Sequence, residues 1–211
     1  MQKMLAGIRR FQTEIYPAMQ PLFEELAGGQ HPEVLLITCS DSRVVPSLLT
    51  QSGPGELFVL RNAGNLVPSY SAGGGGEAAT IEYAVKALRV KDIIVCGHSQ
   101  CGAVKALITP GGADSLPAVQ QWLLHARRTL EILETRHADI QDPAQRLARA
   151  IEVNAVVQMQ NVCSHPAVAE ALEQGTVRVH AWVYDFITGQ VQAYDPRSET
   201  FEPLDGFSPA V

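Results

Sequence analysis

No apolar run in this chain is long enough to span a bilayer, so no transmembrane helix is expected. The N-terminal stretch MQKMLAGIRRFQTEIY also lacks the apolar h-region of a secretion signal. Positive charge is scarce: 16 basic residues face 22 acidic ones, a net charge of −6. That balance argues against nucleic acid and anionic membranes as partners. Internal repeats and low-complexity segments are absent. Cysteine is limited to Cys39, Cys96, Cys101 and Cys163. By count these could form two disulfides. However, a 211-residue chain that is 46% hydrophobic and 18% charged can bury a core without such staples, and reduced thiols are expected. Reduced thiols raise the question of metal binding or catalysis. The length fits one domain over 1–211, with a helical arm at 1–29 and a loosely held polar tail at 196–211.

Hydrophobic spacing predicts the elements. Met4, Leu5, Ile8, Phe11 and Ile15 recur at helical intervals, and Pro17 and Pro21 punctuate the segment before a second helix over Leu22–Leu26. Val34 to Thr38, Leu57 to Leu60 and the run DIIVCGH read as buried strands. A glycine-rich segment enters a helix ending near Leu88, and another helix starts near Cys101. Val119 to Leu133 carries one long amphipathic pattern. Further helices are expected from about Pro143 to Val162 and after Pro166, followed by a hairpin around Thr188-Gly189. Continuous apolar strands alternating with helices indicate an α/β fold, a mostly parallel sheet covered by helices.

In such sheets ligands collect at the carboxyl ends of the strands. Cys39 ends the first strand and His98 the third, and HSQC adds Cys101. Two cysteines and a histidine with an open fourth position form a catalytic zinc pattern. Cys101 also opens a helix, where the dipole favours an anion. Cys96 and Cys163 read as inert core. Asp41 and Arg43 follow Cys39 at alternate positions. A carboxylate so near a zinc could bind it and close the site. An arginine gripping it bidentately would hold it back, free to accept the hydrogen of zinc-bound hydroxide and aim that nucleophile. The glycines Gly73 to Gly76 lack the endings of phosphate-binding loops, and close backbone packing beside the site is the expected role.

The segments CSDSRV, GELFVLRNAGNLVP, GGEAATIEYAV and CGHSQCGAVKAL together resemble the β-carbonic anhydrases. The likeness runs from about Gln30 to Ile108 and continues more loosely through HAWVYDFITGQV. Within the family, ITCSDSRVVP and RNAGNLVP look plant-type and carboxysomal. The resemblance implies zinc-dependent, reversible hydration of carbon dioxide to bicarbonate. One Zn²⁺ per chain would sit on Cys39, His98 and Cys101, with Asp41 and Arg43 as the catalytic dyad. It also implies a substrate pocket of Gln30, Phe58, Ala63, Tyr83 and Gly102, with Gln30 serving the neighbouring subunit. It further implies a homodimer or an assembly of dimers, a carboxysome scaffold protein as a partner, and a place in the cytoplasm or in a carboxysome. Members inhibited by bicarbonate resemble one another in a tryptophan three residues before the first zinc cysteine. This chain has Leu36 there, although Arg61 and Tyr184 match the rest of that site.

Two other readings compete. One is a carbonyl sulfide or carbon disulfide hydrolase on the same fold. The other is a non-catalytic zinc or redox-sensing module, which would close its site with Cys96 or Cys163 and would not need Asp41 or Arg43.

Overall fold

The computed structural model describes residues 1–70 and 74–204. Strand β1 (Val34–Cys39) lies at the centre of the fold, and from Leu35 to Cys39 every residue is buried. A strand with both faces apolar must be covered on both sides, and such strands sit inside parallel sheets. β1 is flanked by β2 (Leu57–Asn62) and β3 (Asp92–His98), both parallel to it. β4 (Arg178–Tyr184) extends the parallel set, and β5 (Val191–Asp195) turns back against it. With β6 (Thr200–Pro203) on the outer edge beside β5, the sheet order is β2-β1-β3-β4-β5-β6. From β1 the chain therefore goes first to one side and then to the other, and a crevice forms where the connections part.

That crevice collects the chemistry. Thr38 pairs with Cys96, so Cys39 and His98 emerge just beyond that pair on adjacent strands. Helices α3 (Pro46–Thr50), α4 (Gly76–Glu82) and α5 (Gly102–Ile108) follow β1, β2 and β3 in the chain, and helix α8 (Pro143–Cys163) packs beneath β3 and β4. Asp142 caps it, accepting from the amides of Ala144 and Gln145 at 3.1 and 2.8 Å. The helix approaches so closely that a Cβ at Gly97 would meet the Ile151 side chain at 3.3 Å. One core cluster joins Leu35, Ile37, Ile93 and Val95 to Ile81, Val162 and Val168. A second packs Cys39 and Cys101 against Val104, Leu133, Ala150 and Ile151, which gives the site an apolar floor.

Three expectations change. The arm is nearly continuous: α1 (Gln2–Arg10) passes through a π-helical turn at Phe11–Ile15 into α2 (Tyr16–Leu26). Pro17 lies in the first turn of α2, where a missing donor costs little, and Pro21 lies inside it. The single helix expected over Val119–Leu133 is two, α6 (Pro117–Leu123) and α7 (Arg127–Arg136), joined by a tight turn at Leu124–Ala126. The break lets Leu123 and Ala126 pack with Leu66 while Leu133 reaches the cluster under the site. Finally, the segment expected to be a loose tail contributes an edge strand, β6 (Thr200–Pro203), paired with β5. Tyr194 and Phe201 meet across that pair with ring centroids 5.5 Å apart, a cross-strand contact that anchors it. Residues 205–211 lie outside the described region. Among the described residues, no helix is long and apolar enough to cross a membrane.

Candidate metal centre

Cys39, His98 and Cys101 are all buried, and their ligand atoms lie within 4.8 Å of one another. Cys39 closes β1 and His98 closes β3. Cys101 precedes helix α5 (Gly102–Ile108), with Gln100 in left-handed backbone before it. The His98 Nδ1–H donates to the Ser99 carbonyl at 2.9 Å, leaving the Nε2 lone pair facing the two sulfurs. Nε2 is fully buried and makes no hydrogen bond, an orphaned atom that a bound cation would satisfy. Two thiols and an imidazole are the soft and borderline donors that zinc prefers. The site therefore fits a zinc ion.

The Cys101 thiol beside it lowers the Cys39 pKa, against the opposing effect of burial. The amides of Gly64 and Asp41 pull the same way. Donating to Cys39, together with burial, pushes Cys101 up. The Gly64 amide meets Cys39 Sγ at 3.3 Å. Gly64 has φ +81°, and a Cβ there would come 2.9 Å from the Ala103 side chain, so the turn Ala63–Asn65 needs glycine at its centre.

Asp41 and Arg43 meet edge to edge. Arg43 Nε donates to Asp41 Oδ1 at 2.9 Å, Nη2 to Oδ2 at 2.7 Å, and the Arg43 amide to Oδ1 at 3.0 Å. This grip holds the Asp41 carboxyl well below the usual carboxylate range. Oδ2 lies 3.9 Å from His98 Nε2, so the restrained carboxylate stands beside the ligand cluster.

Two contributors are not expected in the role the structure gives them; in the sequence Arg61 stands out only for its match to the bicarbonate site. Arg61 on β2 donates to the Cys39 carbonyl at 3.0 and 2.9 Å, to that of Asp41 at 2.8 Å and to that of Val44 at 2.9 Å. It braces the whole loop that bears Cys39, Asp41 and Arg43. Phe186, in the turn after β4, lies under the Arg43 guanidinium, with 4.2 Å from Cζ to the ring centroid. The alternation of β2 signals Arg61 only weakly, and nothing local signals Phe186.

The expected pocket residues fall into two groups. Ala63 and Gly102 stand beside the ligands: Ala63 precedes Gly64, and Gly102 follows Cys101 with open space where a Cβ would project. Gln30, Phe58 and Tyr83 gather elsewhere. Gln30 and Tyr83 line a cleft of about 630 Å³ with Phe23 and Leu26, and the Phe58 and Tyr83 rings are 5.9 Å apart. None of Cys39, His98 and Cys101 lines that cleft. Phe58 pairs with Leu35, four residues before Cys39, about 13 Å along the strand. Cys96 is buried core, its thiol pushed up to about 12 by desolvation, and Cys163 is half-buried. The close packing expected of the glycine run is not seen at Gly74–Gly76, where a Cβ would meet nothing nearer than 3.6 Å; Gly73 lies outside the described residues.

Comparison with known proteins gives a consistent result. A family model described as carbonic anhydrase matches residues 34–191. A carbonic anhydrase of Pseudomonas aeruginosa is 48% identical over 204 residues, covering 97% of this chain and 92% of the relative. The solved structure of the β-carbonic anhydrase CcaA matches with a TM-score of 0.94 at 39% identity, covering 99% of this chain and 92% of that one. A structure among those of two tetrameric β-carbonic anhydrases from Sordaria macrospora matches with a TM-score of 0.72 at 30% identity, covering 91% and 92%.

Proposed function

Because this chain belongs to the β-carbonic anhydrase family, we propose that its Cys39–His98–Cys101 cluster is the zinc centre at which carbon dioxide and water are interconverted with bicarbonate and a proton. The observation that carries this is the three ligand atoms within 4.8 Å of one another, beside a carboxylate held off by an arginine. Cys39, His98 and Cys101 hold the ion, one per chain, and when bound it acidifies water to supply the nucleophile at neutral pH. Asp41 Oδ2 accepts the hydrogen of the attacking oxygen and so turns a lone pair of that oxygen toward carbon dioxide. Arg43 keeps both Asp41 oxygens in place and keeps the carboxylate away from the ligand position. The Gly102 amide and Gln30 position the substrate oxygens, and Phe58, Ala63 and Tyr83 shape an apolar pocket. The test is carbon dioxide hydration by stopped flow after chelation and again after zinc is restored. Activity should vanish and return; activity indifferent to zinc removal would reject the proposal.

The pH profile separates the groups. The folded pKa of Asp41 is depressed, so its charge-dependent contribution is present above the unfolded value of 3.8 and is lost only as pH falls through the lower folded value. A limb of kcat/KM above about pH 5 therefore belongs to another group. We expect kcat/KM to rise from mildly acidic to alkaline pH, because metal ligands and water both compete with protons for their active forms. A flat profile over that range would contradict this.

The same reading includes a dimer with shared sites. In α1 no residue is buried: Met4 is 67% and Ile8 54% exposed, and Phe11 in the following turn is 42% exposed. An apolar helical stripe of this kind needs a partner surface. The separation of the Gln30–Phe58–Tyr83 cleft from the ligands of its own chain fits service to another chain's zinc. The tetrameric Sordaria relatives are consistent with assembly from dimers. Mixing Gln30→Ala chains with Cys39→Ser chains should restore activity, since one site in each heterodimer has both groups intact. Deleting residues 1–26 should lower stability and activity together. A fully active monomer in sedimentation at assay concentration would overturn the shared site. In this reading 1–211 is one catalytic domain with 1–29 as its arm. A cytoplasmic or carboxysomal place and a scaffold partner rest on the likeness of ITCSDSRVVP and RNAGNLVP alone, and co-sedimentation with carboxysome shells tests them.

A further inference from the structure

We propose that Phe186 is a positioning residue for the Asp41–Arg43 pair, its ring serving as the platform that fixes the plane of the Arg43 guanidinium. This rests on the catalytic reading of Asp41 given above.

The Arg43 side chain is 46% exposed. An ion pair that open to water is weak and mobile when only its two partners define it. Here a third surface is present. The guanidinium carbon lies 4.2 Å from the Phe186 ring centroid, within the range of cation–π attraction. Guanidinium is planar and weakly hydrated, so it lies well against an aromatic face while its edge still presents Nε and Nη2 to a carboxylate. Arg43 is placed to do both: its edge grips Asp41 while Cζ sits over the Phe186 ring. The same ring comes within 6.2 Å of the His98 ring centroid.

The platform is itself anchored. The Phe186 amide donates to Ser99 Oγ at 3.2 Å, and the Ser99 amide donates to the Tyr184 carbonyl at 2.8 Å. Asp185 closes the turn, accepting from the Ile187 amide at 3.0 Å and from Thr188 Oγ1 at 2.9 Å. Ser99 directly follows His98, whose Nδ1–H donates to the Ser99 carbonyl. One residue thus ties the imidazole ligand to the turn that carries the ring. The ligand set and the arginine that restrains Asp41 share a single scaffold, although they come from strands far apart in sequence. An aliphatic side chain at 186 would fill the volume but offer no negative face.

The experiment compares Phe186→Leu and Phe186→Tyr in the zinc-loaded protein, with zinc content, kcat, KM and Tm measured for each. Phe186→Leu should lower kcat about 3- to 10-fold with zinc content and KM held, and Phe186→Tyr should restore kcat to within about 2-fold of the parent. Tm is then read in a double-mutant cycle with Arg43→Ala. Phe186→Leu should cost less Tm in the Arg43→Ala background than in the parent, because the ring has lost its cation. Leucine as active as phenylalanine, or equal Tm losses in both backgrounds, would reduce Phe186 to packing and overturn the proposal. Asp41→Asn, run alongside, separates the two ideas. If that variant is fully active, the catalytic reading fails. If it is inactive while Phe186→Leu is unaffected, only the role of Phe186 fails.

Discussion

Cys39→Ser, His98→Ala and Cys101→Ser should each lose bound zinc and reduce carbon dioxide hydration by more than about 100-fold, since even groups that merely support a metal's ligands cost 10- to 100-fold. The three positions differ in how they fail. Cys39 and Cys101 supply the soft donors, and a serine hydroxyl is a hard, weakly acidic replacement that zinc does not prefer. His98→Ala removes a side chain that is fully buried, leaving a cavity next to the two sulfurs and one donor too few to hold the ion. Metal analysis on purified protein, alongside stopped-flow hydration, reads both outcomes. Full zinc content with normal hydration in any one of the three would remove that residue from the ligand set. Cys163→Ser is the internal control: its thiol is half-buried and apart from the cluster, so zinc and activity should both stay near the parent values.

Asp41→Asn should keep its zinc and lose roughly 10- to 1,000-fold in kcat/KM, the range for removing a group that orients or stabilises the reacting atoms. Donors and acceptors decide the outcome. Arg43 presents three N–H groups to the two carboxylate oxygens, and each oxygen accepts. An amide offers one oxygen and one NH₂. If the oxygen faces Nε and the Arg43 amide, the NH₂ is left opposing Nη2 and pointing at the nucleophile as a donor. If the amide flips, its oxygen takes the Oδ2 place but its NH₂ is set against two donors, Nε and the Arg43 amide, so the first orientation is favoured. That favoured orientation offers the attacking oxygen a donor in place of an acceptor. Near-normal kcat/KM in this variant would count decisively against Asp41 as the orienting group. The complementary change, Arg43→Ala, should release Asp41 toward the ligand cluster, only 3.9 Å away at His98 Nε2. A crystal structure of that variant with Asp41 still in its original place would show that Arg43 is not what restrains it.

Much of this was legible in the chain. The run from Val34 to Cys39 announces a doubly covered strand because an unbroken apolar segment of that length has no other stable place. The spacing of Cys39, Asp41 and Arg43 puts a ligand and its neighbours on one loop, because that is local chain geometry. The same holds for His98 and Cys101. Where the sequence misled, a local rule met a tertiary demand. Pro17 and Pro21 read as breaks but lie in α2, since one falls in the first turn and the π-helical turn precedes it. The pattern from Val119 to Leu133 reads as one helix, because apolar spacing cannot say that two different clusters wait on either side of Leu124–Ala126.

The sequence by itself therefore determined the parallel sheet, the three donors and the pairing of Asp41 with Arg43. These follow from apolar periodicity and from residues close together along the chain. Only the tertiary structure decided which distant residues complete the site. Arg61 reaches three carbonyls of the Cys39 loop from the next strand, and Phe186 arrives beneath Arg43 from a turn more than a hundred residues later. It also decided that Gln30, Phe58 and Tyr83 stand apart from the ligands of their own chain. Such contacts depend on strand order and register, and no short-range pattern encodes which strand lies beside which.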